Sequence, residues 1–65
     1  MWAIRNKRTK KWLYGTDYTR YPFTQRTSED KALVFETLED AEAEMRYRVC
    51  GKSYEAVLVK LEVVQ

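Results

Sequence analysis

Histidine is absent from the 65 residues, cysteine and proline occur once each, and glycine occurs twice. Each scarcity removes a class of chemistry. Without histidine the commonest general base and metal ligand is missing, and Cys50 has no imidazole to activate it as a nucleophile. No Cys/His set exists to hold zinc. Gly15 and Gly51, far apart in the chain, cannot form a glycine-rich phosphate loop. The acids crowd into one segment instead of facing each other across a cleft, as a paired-carboxylate site requires. The expectation is therefore a protein that is not an enzyme and carries no cofactor and no metal. A single thiol allows no internal disulfide. Short secreted chains usually depend on such bridges, so a reducing cytoplasm is expected, with Cys50 serving as a small apolar side chain near the core. Apolar runs such as Ala56-Val57-Leu58-Val59 are too short to cross a bilayer. The alternating residues after Met1 do not read as a signal peptide.

Hydrophobic residues make up 45% and charged residues 34% of the chain, a balance typical of folded and not of disordered proteins. One domain over residues 1–65 is expected. A domain of this size buries only about 60% of the surface its unfolded chain exposes, so a homodimer partner or a ligand would add usefully to its stability. The net charge of +2 conceals a division: residues 1–27 sum to +6, residues 28–45 to −6 and residues 46–65 to +2. Such a division predicts a basic and an acidic face.

Two periodicities organise the chain. Trp2 and Ile4 alternate with Ala3, Arg5 and Lys7, and Trp12 and Tyr14 with Lys11 and Leu13. Period two over both stretches predicts a β-hairpin, its strands within 2–8 and 11–15. Residues 16–30 show neither period, and Pro22 argues against a regular helix or central strand there. A long connection is predicted, of the kind that is often functional. Ala32 to Glu36 reads as a short strand. Thr37 is placed to cap a helix through the Asp40 N–H, in a shortened capping box. A helix is predicted over 38–50, with Leu38, Ala41, Met45 and Val49 on one stripe and Gly51 ending it in a left-handed conformation. Residues 54–64 read as the last strand, with Val57, Val59, Leu61 and Val63 forming the face that the helix covers. The opposite face, Tyr54, Ala56 and Leu58, is expected to lie under the long connection or else to form an interface. The predicted fold class is α+β: β-β-(long loop)-β-α-β, with one helix on one face of a three- to four-stranded sheet.

The suggestive chemistry lies in the basic, aromatic half. Trp2, Trp12 and Phe23 are expected to fill the core, since aromatic side chains bury the most area each. Tyr18, Arg20, Tyr21 and Arg26, in the long connection, are the candidate partner-binding residues. Tyrosine and arginine dominate protein–protein hot spots. Rings interleaved with cations also serve single-stranded nucleic-acid sites. The acidic run Glu29, Asp30, Glu36, Glu39, Asp40, Glu42 and Glu44 is read first as a solvated face, and second as a surface for a basic partner or a nucleic-acid mimic.

The opening Trp-Ala-Ile-Arg-Asn-Lys-Arg-Thr-Lys-Lys-Trp-Leu-Tyr-Gly-Thr-Asp and the later Leu-Val-Phe-Glu-Thr-Leu-Glu-Asp-Ala-Glu resemble small proteins of bacteriophages and integrated prophages. That resemblance spans most of the chain and assigns no residue a role. It implies a bacterial host cytoplasm and a binder directed at a host protein. The expected function is accordingly a non-enzymatic protein-binding module that modulates a host protein. The alternative is a small nucleic-acid-binding protein using the basic aromatic half.

Overall fold

The computed structural model describes residues 1–60. It is an antiparallel sheet of five strands with one helix on one face. The strands are β1 (Trp2–Asn6), β2 (Trp12–Asp17), β3 (Thr24–Ser28), β4 (Val34–Phe35) and β5 (Tyr54–Leu58). The helix α1 (Leu38–Tyr47) connects β4 to a 3-10 turn at Gly51–Ser53, which leads into β5. β1 is central. Along its whole length β5 lies on one side, while β2 and β4 share the other. Among the described residues β3 pairs only with β2 and forms the far edge.

The predicted hairpin is present, with Arg5 opposite Trp12. Its turn is tied by Asn6, whose Oδ1 accepts the N–H groups of Arg8 and Thr9. Lys10 takes a positive φ there. β2 then leaves β1. The backbone of Leu33 donates to the Leu13 carbonyl at 3.0 Å, so β4 enters where β2 departs. The β2–β3 ribbon continues past this point as an arm. A register shift between Leu13 and Gly15 leaves Tyr14 as an extra residue in β2. Such bulges re-aim the side chains beyond them.

The expected long loop over 16–30 thus contains a strand, and the sheet has five strands where three or four were predicted. Period two fails there because β3, Thr-Gln-Arg-Thr-Ser, is polar on both faces. Pro22 sits in the turn before it, in a cis Tyr21–Pro22 peptide.

Direct cross-strand neighbours share a face, which decides where the helix packs. Ile4 stands opposite Ala56, Asn6 opposite Tyr54, and Trp2 opposite both Phe35 and Leu58. Ile4, Leu13 and Cys50 form the buried cluster, and Phe35, Met45 and Tyr54 pack around it. The helix therefore covers the Tyr54/Ala56 side of β5. The predicted Val57/Val59 side faces away from it, and Leu61 and Val63 lie outside the described residues. Hydrophobicity along β5 alone pointed the wrong way because register with Ile4 and Leu13 fixes which side is inside. Ala3, on the other face, is completely buried between its register partners Val57 and Val34. Cys50 is buried as expected. Trp2, Trp12 and Phe23 are only half-buried, so aliphatic Ile4 and Leu13 fill the centre in their place.

Thr37 caps the helix as predicted, its Oγ1 accepting the Asp40 N–H at 3.1 Å. The helix ends earlier than predicted. Cys50 N–H donates to the Met45 carbonyl and Val49 N–H to that of Arg46, the paired bonds of a Schellman terminus. Val49 occupies its left-handed position, at φ 53°. Gly51, also left-handed at φ 72°, opens the following 3-10 turn. Of the predicted stripe, Ala41 is buried and Met45 half-buried, whereas Leu38 and Val49 are exposed.

Candidate functional site

Beyond the bulge, the arm presents Thr16 and Gln25 to the helix side, and Gly15, Arg26, Asp17 and Thr24 to the other. The helix side is fastened by polar contacts. Arg48 donates from Nη1 to Thr16 Oγ1 at 3.0 Å and from Nε to Glu44 Oε2 at 3.1 Å. Thr16 Oγ1 donates to Gln25 Oε1, and Gln25 Nε2 donates to the Arg48 carbonyl. That carbonyl is one of the groups a helix C-terminus leaves without an intrahelical partner, so the arm satisfies it.

At the end of the arm, four rings gather. Tyr18 meets Phe23 edge-on with centroids 4.9 Å apart, and Tyr21 meets Phe23 at 5.5 Å. Tyr18 also meets Tyr47, on the last turn of α1, at 5.9 Å. These distances and steep interplanar angles lie within the favourable range for aromatic pairs. The cluster contributes little to the interior: Tyr21 is 75%, Tyr47 72% and Tyr18 44% exposed. The turn before it is shaped by Asp17, whose Oδ1 accepts both the N–H and the hydroxyl of Thr19. Those bonds, with a smaller contribution from Arg26, hold the Asp17 carboxyl below its ordinary pKa.

Of the predicted partner-binding residues, Tyr18, Arg20 and Tyr21 lie in this turn, and all three are exposed. Arg26 is not with them. It stands opposite Gly15 on the other face of the arm, 3.9 Å from the Asp17 carboxylate. Tyr47 was missed by sequence reasoning. Its signal was available: it is an aromatic residue standing off the apolar stripe of its helix, where the core does not need it.

The sheet face away from the helix carries a second aromatic–cation group. Arg5 sits 5.7 Å from the Trp12 ring centroid and donates from Nε and Nη2 to Glu55 Oε2, at 3.1 and 2.7 Å. The Arg5 hydrogen bonds lower the Glu55 pKa. Burial is the first cause of the raised Cys50 pKa. No helix of the described residues is long and apolar enough to cross a membrane.

No protein-family model, curated protein or solved structure matches this chain.

Proposed function

We propose that the protein is a non-enzymatic binding module that docks a protein partner on the aromatic tip of its arm. The observation that carries this reading is the cluster of Tyr18, Tyr21, Phe23 and Tyr47, assembled from the arm and the helix while two of its rings stay mostly in water. Tyrosines offer large contact area with few rotors to freeze, and their mutual packing pre-orders them, which lowers the ordering cost of binding. Arg20, exposed in the same turn, supplies a charge at the rim. The phage-like opening sequence directs the proposal toward a host protein in a bacterial cytoplasm.

A nucleic-acid surface is the weaker reading. Arg5, Arg26 and Arg48 each face a carboxylate of this same chain, which cancels charge that phosphates would otherwise meet. The tip rings also stand edge-to-face, so Tyr18 and Phe23 spend ring surface on each other that base stacking would need.

The test is affinity capture from bacterial lysate with and without nuclease, followed by binding of single alanine variants whose folding is confirmed by circular dichroism. Tyr21→Ala and Tyr47→Ala are expected to weaken binding about tenfold or more, as hot-spot truncations do, with Tyr18→Ala and Arg20→Ala losing less. Arg26→Ala should bind like the parent. Capture abolished by nuclease, or a steep salt dependence, would transfer the assignment to nucleic acid. Unchanged binding by all the tip variants would remove the tip from consideration.

A further inference from the structure

The hydrogen-bond phase of the β1–β5 ladder reveals an open edge. Met1 and Val59 exchange both backbone bonds, at 3.2 and 2.7 Å, and Lys7 N–H donates to the Ser53 carbonyl at 2.8 Å. In an antiparallel ladder, bonded and non-bonded pairs alternate. Ala3–Val57 and Arg5–Glu55 are therefore bonded pairs, whereas Trp2–Leu58, Ile4–Ala56 and Asn6–Tyr54 are not. It follows that Tyr54, Ala56 and Leu58 aim their N–H and C=O groups away from β1. Among the described residues β5 pairs with no other strand.

Proteins usually blunt such an edge with proline, a bulge or an unpaired charge. β5 has none of these. Tyr-Glu-Ala-Val-Leu contains no proline and no register shift, and its one charge, Glu55, is already paired to Arg5. The opposite edge, β3, is polar and carries Arg26. Leu58 is 65% exposed on the helix side of β5.

We infer that a second copy of this chain adds to β5 in antiparallel fashion, joining the two sheets across a dyad at Ala56. The strand is complementary to itself in that register. Ala56 meets its own copy, and Tyr54 and Leu58 each meet the other, so that every outward N–H faces an outward C=O and both exposed leucines gain a tyrosine neighbour. Glu55 falls opposite Val57, so no like charges oppose each other within the strand. Lys60 falls opposite Lys52 of the second copy just past it, and added salt should therefore tighten the dimer. An edge contact of this length is small, in the range of weak complexes, so the dissociation constant is expected on the order of 0.1 mM.

Sedimentation equilibrium and amide hydrogen exchange of the full chain, each across a dilution series, test the inference. The expected result is a reversible monomer–dimer equilibrium in which the Tyr54, Ala56 and Leu58 amides, but not their ladder-bonded neighbours, exchange several times faster on dilution. Ala56→Pro removes an outward N–H without touching the β1 ladder, a position where an edge strand tolerates proline, and should be monomeric throughout. A wild-type chain that stays monomeric near 1 mM, well above the expected constant, overturns the inference. So does a dimer in which those three amides exchange at a concentration-independent rate. The exchange result stands even if Ala56→Pro does not fold.

Discussion

Valine is a poor choice for a left-handed backbone, yet Val49 occupies one at the end of α1. A non-glycine residue there costs roughly 1–2 kcal/mol because its Cβ approaches the following carbonyl oxygen. Replacing Val49 by alanine and, separately, by glycine removes the same half-exposed side chain but only glycine also removes the Cβ. The comparison between the two variants therefore cancels most of the lost packing and isolates the backbone. If Val49 ends the helix as the Cys50–Met45 and Val49–Arg46 bonds show, Val49→Gly should be more stable than Val49→Ala by about 1 kcal/mol. Were the helix to run through to residue 50, the order would reverse, since glycine inside a helix is about 1 kcal/mol worse than alanine. The two geometries thus differ by about 2 kcal/mol in one measured difference, built from those opposing terms. For a domain of this size each kcal/mol moves Tm by about 4–8 °C. Thermal and urea melts followed by far-UV circular dichroism are sufficient to read it. An alanine variant more stable than the glycine variant would refute the Schellman terminus and restore the longer helix.

Two further outcomes follow from the core and from the ion pairs. Met45→Asp should abolish cooperative folding, because Met45 packs against the Ile4, Leu13 and Cys50 cluster and an unpaired carboxylate there has no partner; a folded, soluble variant with an unchanged melt would defeat that packing. Glu55 and Asp17 both have depressed pKa values in the folded state. Their contribution is present above the unfolded carboxyl pKa of about 4 and is lost as pH falls through the lower folded values. Urea midpoints should decline below that pH, and Glu55→Gln should flatten the decline; an identical pH profile for variant and parent would show that the Arg5–Glu55 contact contributes nothing.

Much of the fold was legible where one face is apolar and the other polar. Trp2/Ile4 against Ala3/Arg5 gave β1, and Thr37 with its acidic first turn gave the start of α1. The reading failed where the physics is not written as hydrophobic alternation. β3 is held by backbone pairing to β2 and by Gln25 reaching the Arg48 carbonyl, and neither leaves an apolar pattern. The end of α1 was misplaced because Gly51 offered the familiar signal while Val49 took the left-handed position against its preference. The covered face of β5 was misassigned because only cross-strand register could decide it. At the candidate site, Tyr18, Arg20 and Tyr21 could be proposed from composition in the turn itself. Arg26 could not be excluded without knowing that β3 is a strand whose alternation puts Arg26 on the face away from the helix, and Tyr47 could not be joined to them without the fold.

The central position of β1 also governs when the molecule can form. Its flank on one side is completed by β5, and Met1 is bonded to a residue 58 positions later. During vectorial synthesis β1 is made before β2, β3, β4 and α1, and its longest partner, β5, follows all of them. Until residue 59 clears the ribosome, β1 exposes its β5-facing edge, while β2, β3 and β4 already have their strand partners. Completion of β1 waits on a contact between residues 58 positions apart, the kind of long-range pairing that slows folding. A nascent chain halted before β5 should therefore be protease-sensitive in β1 and already protected in the arm.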